Sequence, residues 1–183
     1  MTDEITDVYF IRHAETFAAR KNMIPKKNTG ITLGGFAQSL NAAREIKTLC
    51  GEVLLSSSLR RAKQTAWTMN TILRVSREEV SFLNERTVTL KKGEIEWETL
   101  TSLNERLLLV SSMVQNREEK VILVVTHATF IKALLMMYTY GEMWKDSFES
   151  FNSQWKLSPL DYLHVQFFND VATVLRKPEF TQK

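Results

Sequence analysis

The sequence is poor in the residues that cross-link or interrupt a small protein. It has one cysteine, Cys50, three prolines and six glycines among 183 residues. A single cysteine excludes an internal disulfide framework, and one cysteine with three widely spaced histidines gives no zinc-ligand pattern. Without a repeat or a low-complexity tract, the chain also offers no candidate linker. We therefore expect one domain over residues 1–183, with no bound metal and no cofactor.

Long hydrophobic runs and blocks of like charge are also missing. No apolar run reaches the roughly 18 residues of a membrane-spanning helix, and the acidic start, MTDEITD, lacks the apolar segment of a secretory signal. The net charge is +3, but no block of lysines and arginines suggests a nucleic-acid partner. We expect a soluble, cytoplasmic protein without a membrane or nucleic-acid partner. Its mildly basic charge favours an anionic small-molecule ligand.

Hydrophobic patterning predicts strands that alternate with helices. Short apolar runs predict buried strands at 8–11, 53–55 and 121–125. Apolar residues at helical spacing predict helices over 33–43, 59–69, 100–114 and 130–135. The serines at 56–58 are predicted to cap the second of these helices. Between residues 154 and 175 we expect two or three further strands, with turns at 158–159 and 169–170.

The predicted strands are apolar on both faces, which is typical of a parallel sheet covered by helices. We therefore expect an α/β fold, a three-layer α/β/α sandwich with a mostly parallel sheet. Ligands of such folds bind outside the carboxyl ends of the strands. Polar residues that directly follow a strand are therefore the candidates for function.

Histidine and arginine residues follow the predicted strands. The segment FIRHAET places Arg12 and His13 after the first strand, and VILVVTHATF places His127 after a later one. Between them, LLSSSLRRAKQTA places Arg60 and Arg61 at the start of a helix. Because parallel strands end at one edge of a sheet, we expect these side chains to converge there.

That combination suits phosphoryl transfer. Guanidinium groups bind phosphate oxygens through two parallel hydrogen bonds. A neutral imidazole is a competent nucleophile, and neighbouring arginines disfavour the charged form of His13. Helix N-termini after Ser58 and after His127 add backbone donors for an anion. The second histidine and the arginines are available to stabilise charge on the transferring group.

The same motifs resemble those of the histidine phosphatase superfamily, also called phosphoglycerate-mutase-like. FIRHAET resembles its first motif, and ITLGGFAQ, SSSLRRAKQTA, LNER and VVTHATF resemble later segments in the same order. Asn152 and Ser153, before a strand, resemble a late signature. The ordered set runs from about residue 8 to 153. The resemblance implies a phosphoglycerate-mutase-like fold and a small phosphatase that needs no metal.

The resemblance also implies a role for each matching residue. His13 would form a phosphohistidine, and Glu85 would be the general acid that protonates the leaving oxygen. Arg61 rather than Arg60 matches the family position, because it directly precedes an alanine. The remaining phosphate contacts would come from Arg12, Arg61, His127 and Ala128.

The sequence departs from the family pattern in several places. Ala14 and Ala128 stand where glycine is common, and we expect their backbone N–H groups to remain near the phosphate. The segment GEIEW begins eight positions after Glu85, which is further than the family pattern. Glu94 and Glu96 are therefore alternatives to Glu85 as the acid.

We expect a metal-independent phosphomonoesterase that acts on a phosphorylated small molecule, with a phosphoprotein as a further possibility. One alternative is a phosphoglycerate mutase, whose relatives carry extra helices between the acid and the second histidine. Here one helix and one strand are predicted between Glu85 and His127, which favours hydrolysis. Another alternative is a non-catalytic phosphate-binding module, which has no need of His13.

Two further sets of residues are assigned to structure rather than chemistry. His164 lies in an alternating strand segment without a partner signal, so we interpret it as structural. Aromatic residues at helical spacing are interpreted as core or as a dimer face rather than as a lid over the pocket: Trp144, Phe148, Phe151 and Trp155.

Overall fold

The computed structural model describes residues 5–21, 23, 25–91, 94–169 and 171–182. At 90, 91, 94 and 95 it describes the backbone alone. The strands are β1 Thr6–Arg12, β2 Val53–Ser57, β3 Ser76–Val80, β4 Val88–Lys91, β5 Glu94–Trp97, β6 Val121–Thr126, β7 Trp155–Leu157, β8 Tyr162–Phe168, β9 Val171–Arg176 and β10 Phe180–Gln182. The helices are α1 Phe17–Arg20, α2 Leu33–Ile46, α3 Arg60–Leu73, α4 Leu100–Gln115, α5 Ala128–Tyr140 and α6 Trp144–Gln154. Short 3₁₀ turns occupy Lys47–Leu49, Ser81–Leu83 and Gly141–Met143.

The central sheet has six strands in the order β3-β2-β6-β1-β8-β9. Strands β3, β2, β6 and β1 run parallel, while β8 and β9 are antiparallel to their neighbours. The register of β1 and β6 pairs Arg12 with Thr126 at their carboxyl ends. His13 directly follows Arg12 and His127 directly follows Thr126, so this register places the two histidines side by side. The mostly parallel sheet predicted from the apolar strands is confirmed.

Helices cover both faces of this sheet. On one face, Val8 and Phe10 of β1 pack in a buried cluster with residues of α4, α5 and α6. On the other face, Tyr9 and Ile11 pack with residues of α2 and α3. The alternation of side chains along a strand explains this division. The structure therefore confirms the three-layer α/β/α sandwich. No helix among the described residues is long and apolar enough to cross a membrane.

The aromatic residues of α6 belong mainly to the core. Trp144 and Phe148 are fully buried and meet edge to face, with ring centroids 5.1 Å apart. Phe151 is partly buried and contacts Phe180 at 5.3 Å between centroids. The interpretation of these residues as core is confirmed for Trp144 and Phe148.

One sequence prediction was wrong, and strands β3, β4 and β5 were not predicted. Ser56 and Ser57 lie in β2 rather than before α3, whose N-cap is Leu59 and has no side-chain hydrogen bond. Strand β3 was not predicted, because its sequence SREEV is polar and it lies at the sheet edge. The hairpin of β4 and β5 was also missed, so two strands precede the helix and strand expected between Glu85 and His127.

The C-terminal strands agree with their prediction. Strands β7, β8 and β9 occupy the region expected to hold two or three strands. The turn predicted at 158–159 is present at Pro159 and Leu160. In the turn predicted at 169–170, Asn169 has a left-handed backbone with φ of 45°, whereas Asp170 lies outside the described residues.

Gly35 in α2 allows a close backbone approach to the loop after His13. A Cβ at Gly35 would lie 2.5 Å from the carbonyl oxygen of Glu15. We therefore expect Gly35→Ala to lower the free energy of unfolding by about 1–3 kcal/mol, measured by urea denaturation. Gly34→Ala is the matched control, because its Cβ would meet no atom closer than 3.6 Å. It should be neutral or stabilising by up to about 1 kcal/mol. Equal unfolding midpoints for the two variants would contradict this view of Gly35.

Candidate active site

His13 stands at the carboxyl end of β1 and is 6% exposed. Its Nδ1 lies 2.8 Å from the carbonyl oxygen of Ala14, and its Nε2 lies 3.1 Å from Nε of Arg61. A carbonyl oxygen only accepts and a guanidinium only donates. The ring is therefore neutral, with its proton on Nδ1 and a lone pair on Nε2.

Burial is the main reason that His13 stays neutral. It lowers the pKa of His13 well below the ordinary value, and the positive charges of Arg61 and Arg12 lower it further. The hydrogen bond to Ala14 acts in the opposite direction. The direction agrees with the expectation from the neighbouring arginines, but burial has the larger effect.

A lowered histidine pKa makes stability depend on pH. Unfolded His13 gains a proton near the ordinary pKa of about 6.5, whereas folded His13 gains one only at lower pH. Below about pH 6.5 the unfolded state therefore holds more protons, and the free energy of unfolding falls as pH falls, by at most about 1.4 kcal/mol per unit for this residue. We expect urea midpoints between about pH 7.5 and about 5.5 to fall less steeply for His13→Gln than for wild type. Parallel pH profiles would contradict the neutral, buried state of His13.

Two arginines lie near the His13 ring, of which Arg61 is buried and Arg12 is partly buried. Arg61, in the first turn of α3, is 2% exposed, and its Nη1 also donates to the carbonyl oxygen of Lys26 at 3.4 Å. Arg12, at the end of β1, donates from Nη1 to the carbonyl oxygen of Leu157. Nε of Arg12 is buried and has no hydrogen-bond partner among the described residues. The two guanidinium groups thus place positive charge near His13, and Arg12 keeps one donor without a partner among the described residues.

His127 follows β6 and is fully buried. Its ring centroid lies 5.1 Å from that of His13, and its Nε2 lies 2.7 Å from Oγ of Ser57. Burial lowers the pKa of His127 well below the ordinary value, with smaller contributions from His13 and the nearby arginines. Ala128 opens α5, so its N–H is one of the first-turn donors without a carbonyl partner in the helix.

The backbone N–H of Ala14 is hydrogen-bonded within the protein. It donates to Oγ1 of Thr65 at 3.0 Å, and that hydroxyl donates to the carbonyl oxygen of Arg61 at 2.8 Å. Ala14 is also fully buried. Its N–H therefore ties the loop after β1 to α3, which holds Arg61 against His13.

Glu85 is the predicted acid that the structure brings near the arginines. Its charge raises the pKa of both Arg12 and Arg61, against the larger lowering by burial. Its Oε1 accepts the backbone N–H of Arg86 at 3.1 Å. Glu96 is exposed in β5, and the side chain of Glu94 lies outside the described residues.

Arg60, next to Arg61 in the chain, faces a different environment. It is exposed, and its Nη1 donates to the carbonyl oxygen of Asn28 at 3.5 Å. His164 also lies apart from this group, since its Nε2 bonds Asp7 at 2.7 Å and its ring stacks on Tyr9 at 4.2 Å. No group of three or more His, Cys, Asp or Glu side chains among the described residues is arranged to hold a metal ion.

Sequence reasoning missed the residues that brace the segment before Glu85. Arg106 of α4 donates to the carbonyl oxygens of Phe82 and Asn84, each at 2.8 Å, and to both carboxylate oxygens of Glu98. A charged residue beside the apolar stripe of α4 was the available signal. These bonds position Glu85 from outside the cluster of histidines and arginines.

Comparisons with known proteins agree with this fold. A sequence model of the histidine phosphatase superfamily (branch 1) matches residues 8–106. A search by sequence among curated proteins found no match.

Solved structures with the same architecture include several enzymes. The alpha-ribazole phosphatase from Shigella flexneri is 16% identical, with a TM-score of 0.77 over 95% of this chain and 96% of its own. The phosphoglycerate mutase from Bacillus anthracis is 13% identical, with a TM-score of 0.77 over 96% and 93%. A mycobacterial glucosyl-3-phosphoglycerate phosphatase is 14% identical, with a TM-score of 0.75 over 94% and 99%. At these identities the likeness shows a phosphoglycerate-mutase-like fold.

Proposed function

The chain belongs to the histidine phosphatase superfamily, and on that premise we propose that it hydrolyses phosphate monoesters through a phosphohistidine at His13. The family assignment supports a phosphatase. The observation that carries the proposal is the neutral His13 ring, whose Nε2 lone pair lies 3.1 Å from Nε of Arg61. We propose that the chain acts as one catalytic domain without a metal or cofactor.

The reaction would proceed in two steps. The ester phosphate binds between Arg12 and Arg61, whose Nε–H turns from His13 to a phosphate oxygen. Nε2 of His13 attacks phosphorus in line, so that an N–P bond forms while the bond to the leaving oxygen breaks. Glu85, which gains a proton from solvent or from a monoanionic ester as the phosphate binds, gives this proton to the departing alcohol. It then takes a proton from the attacking water, whose oxygen bonds to phosphorus while the N–P bond to His13 breaks. Inorganic phosphate leaves, and His13 and Glu85 return to their starting states.

Phosphate release from a panel of esters tests this proposal. The panel should include small sugar and glycerate phosphates and a phosphopeptide, each with and without a chelator. Chelator-resistant release would support the phosphatase, and the ranking of esters would indicate the substrate class. Isomerisation of 3-phosphoglycerate faster than phosphate release would favour the mutase alternative instead. Tight binding of the esters without turnover would favour the non-catalytic module.

Glu85→Gln should affect esters according to their leaving group. An alkyl alcohol needs a proton as it leaves, so the kcat of Glu85→Gln for alkyl phosphates should fall by about 10² to 10⁴-fold. A nitrophenolate leaves without that help, so nitrophenyl phosphate should lose far less. Glu96→Gln is the matched control on exposed β5. The same leaving-group dependence in Glu96→Gln, and not in Glu85→Gln, would move the role of the acid to Glu96.

A further inference from the structure

The side-chain amide of Asn84 is oriented by a backbone donor. Its Oδ1 lies 3.0 Å from the backbone N of Ser58, and a backbone N–H only donates, so the amide oxygen faces this group. The same oxygen lies 2.8 Å from Oγ of Ser57 and 2.9 Å from Oγ of Ser58. Because an amide oxygen only accepts, both serine hydroxyls donate to Asn84.

The hydroxyl of Ser57 then has no donor left for His127. A serine hydroxyl has one proton and two lone pairs. The proton goes to Asn84, and Oγ accepts the backbone N–H of Leu59 at 3.2 Å. Its contact with Nε2 of His127 at 2.7 Å must therefore use the second lone pair. Nε2 of His127 carries the proton, and the neutral ring has its lone pair on Nδ1, which is the opposite tautomer to His13.

Nδ1 is the ring nitrogen of His127 that this hydrogen-bond network leaves without a partner. Nδ1 of His127 is buried and has no hydrogen-bond partner among the described residues. In the neutral ring it presents a lone pair, which repels a phosphate oxygen. We propose that Ser57 and Asn84 are positioning residues that fix this tautomer, so that His127 binds phosphate as an imidazolium after Nδ1 gains one proton. The inference rests on the proposed function, because it concerns the same phosphate pocket.

Because of the charges around the ring, protonation of Nδ1 of His127 depends on the bound ligand. His127 faces positive or ionisable groups on several elements, and they disfavour a charge on its ring: Arg12 at the end of β1, His13 directly after it, Arg61 in α3 and Arg106 in α4. Glu85 partly offsets the arginines. A bound phosphate dianion adds two negative charges, which reverse the balance at His127. The proton comes from solvent or from a monoanionic ester, so binding and proton uptake are linked.

The tautomer can be measured without turnover. Nitrogen-15 NMR of the histidine rings in the ligand-free protein should show a protonated Nε2 and an unprotonated Nδ1 for His127. Ser58→Ala, the matched control, should leave this pattern intact. Ser57→Ala removes the acceptor and should move the proton, in part or entirely, to Nδ1. A wild-type ring protonated on Nδ1, or a pattern unchanged in Ser57→Ala, would overturn the proposal.

Proton uptake provides a second readout, with inorganic phosphate as the probe. Calorimetric titrations at one pH in two buffers of different ionisation enthalpy count the protons taken up on binding. Because the ligand is the same throughout, its own ionisation cancels between variants. Wild type and Ser58→Ala should take up more protons than Ser57→Ala, by up to about one proton. Equal uptake in all three would refute the proposal, and this comparison does not depend on whether any ester is hydrolysed.

Discussion

Replacement of His13 by alanine should reduce kcat for phosphate release by at least about 10⁴-fold. The expectation follows from the role of Nε2, which accepts the phosphoryl group in the proposed reaction. The ring is 6% exposed and sits between Arg61 and Ala14. No other described histidine combines a free Nε2 lone pair with an adjacent guanidinium. The measurement is steady-state release from the best ester of the panel, in the presence of chelator.

His164→Ala is the matched control for this experiment. His164 is a partly buried histidine that bonds Asp7 at 2.7 Å and lies in β8, away from the strand ends that carry His13 and His127. It should keep most of the wild-type kcat, with some loss of stability at most. Circular dichroism should show that His13→Ala is folded. A folded His13→Ala that retains a tenth or more of the wild-type kcat would reject the phosphohistidine mechanism.

Arg61→Lys should produce the second large effect, a fall in kcat/KM of about 10² to 10³-fold. Lysine keeps the charge but loses the planar fork that binds two phosphate oxygens. It also loses the Nε–H that contacts Nε2 of His13 at 3.1 Å in the ligand-free protein. Because the guanidinium acts on the transferring phosphoryl group, kcat should fall as well as affinity. Initial rates over a range of ester concentrations separate the two contributions.

The neighbouring residue provides an unusually close control. Arg60→Lys makes the same substitution one position earlier in α3, at an exposed side chain that contacts the carbonyl oxygen of Asn28. It should change kcat/KM by less than about 3-fold, the scale of a surface contact. Comparable losses in the two variants would mean that a general positive charge, rather than the buried guanidinium of Arg61, is what the reaction requires.

The parts of the fold that were predictable are the ones with a strong local signal. Strands β1, β2 and β6 were predicted because each is apolar on both faces, as central parallel strands are. Strand β3 was missed because an edge strand needs little apolar surface, and its sequence is SREEV. The β4–β5 hairpin was missed for a similar reason, since it forms a separate two-stranded sheet with an exposed Trp97.

The sequence alone determined which chemical groups follow the strands. The order of apolar runs, arginines and histidines is a local property of the chain, so it could be read without a structure. It placed Arg12, His13 and His127 at strand ends, and the structure brings them to one edge of the sheet, because β1 and β6 are parallel neighbours in register. The family resemblance added the choice of Arg61 over Arg60.

Tertiary structure decided the states of these groups. The neutral form of His13 depends mainly on burial, and its tautomer depends on Ala14 and on Arg61, which is 48 positions away in the chain. The neutral form of His127 also depends mainly on burial, and its proposed tautomer depends on Ser57 and, through it, on Asn84. The N–H of Ala14 is taken by Thr65, which no local pattern indicated. Hydrogen-bond partners and burial arise from sheet register and helix packing, and these join residues whose separation in the chain carries no periodic signal.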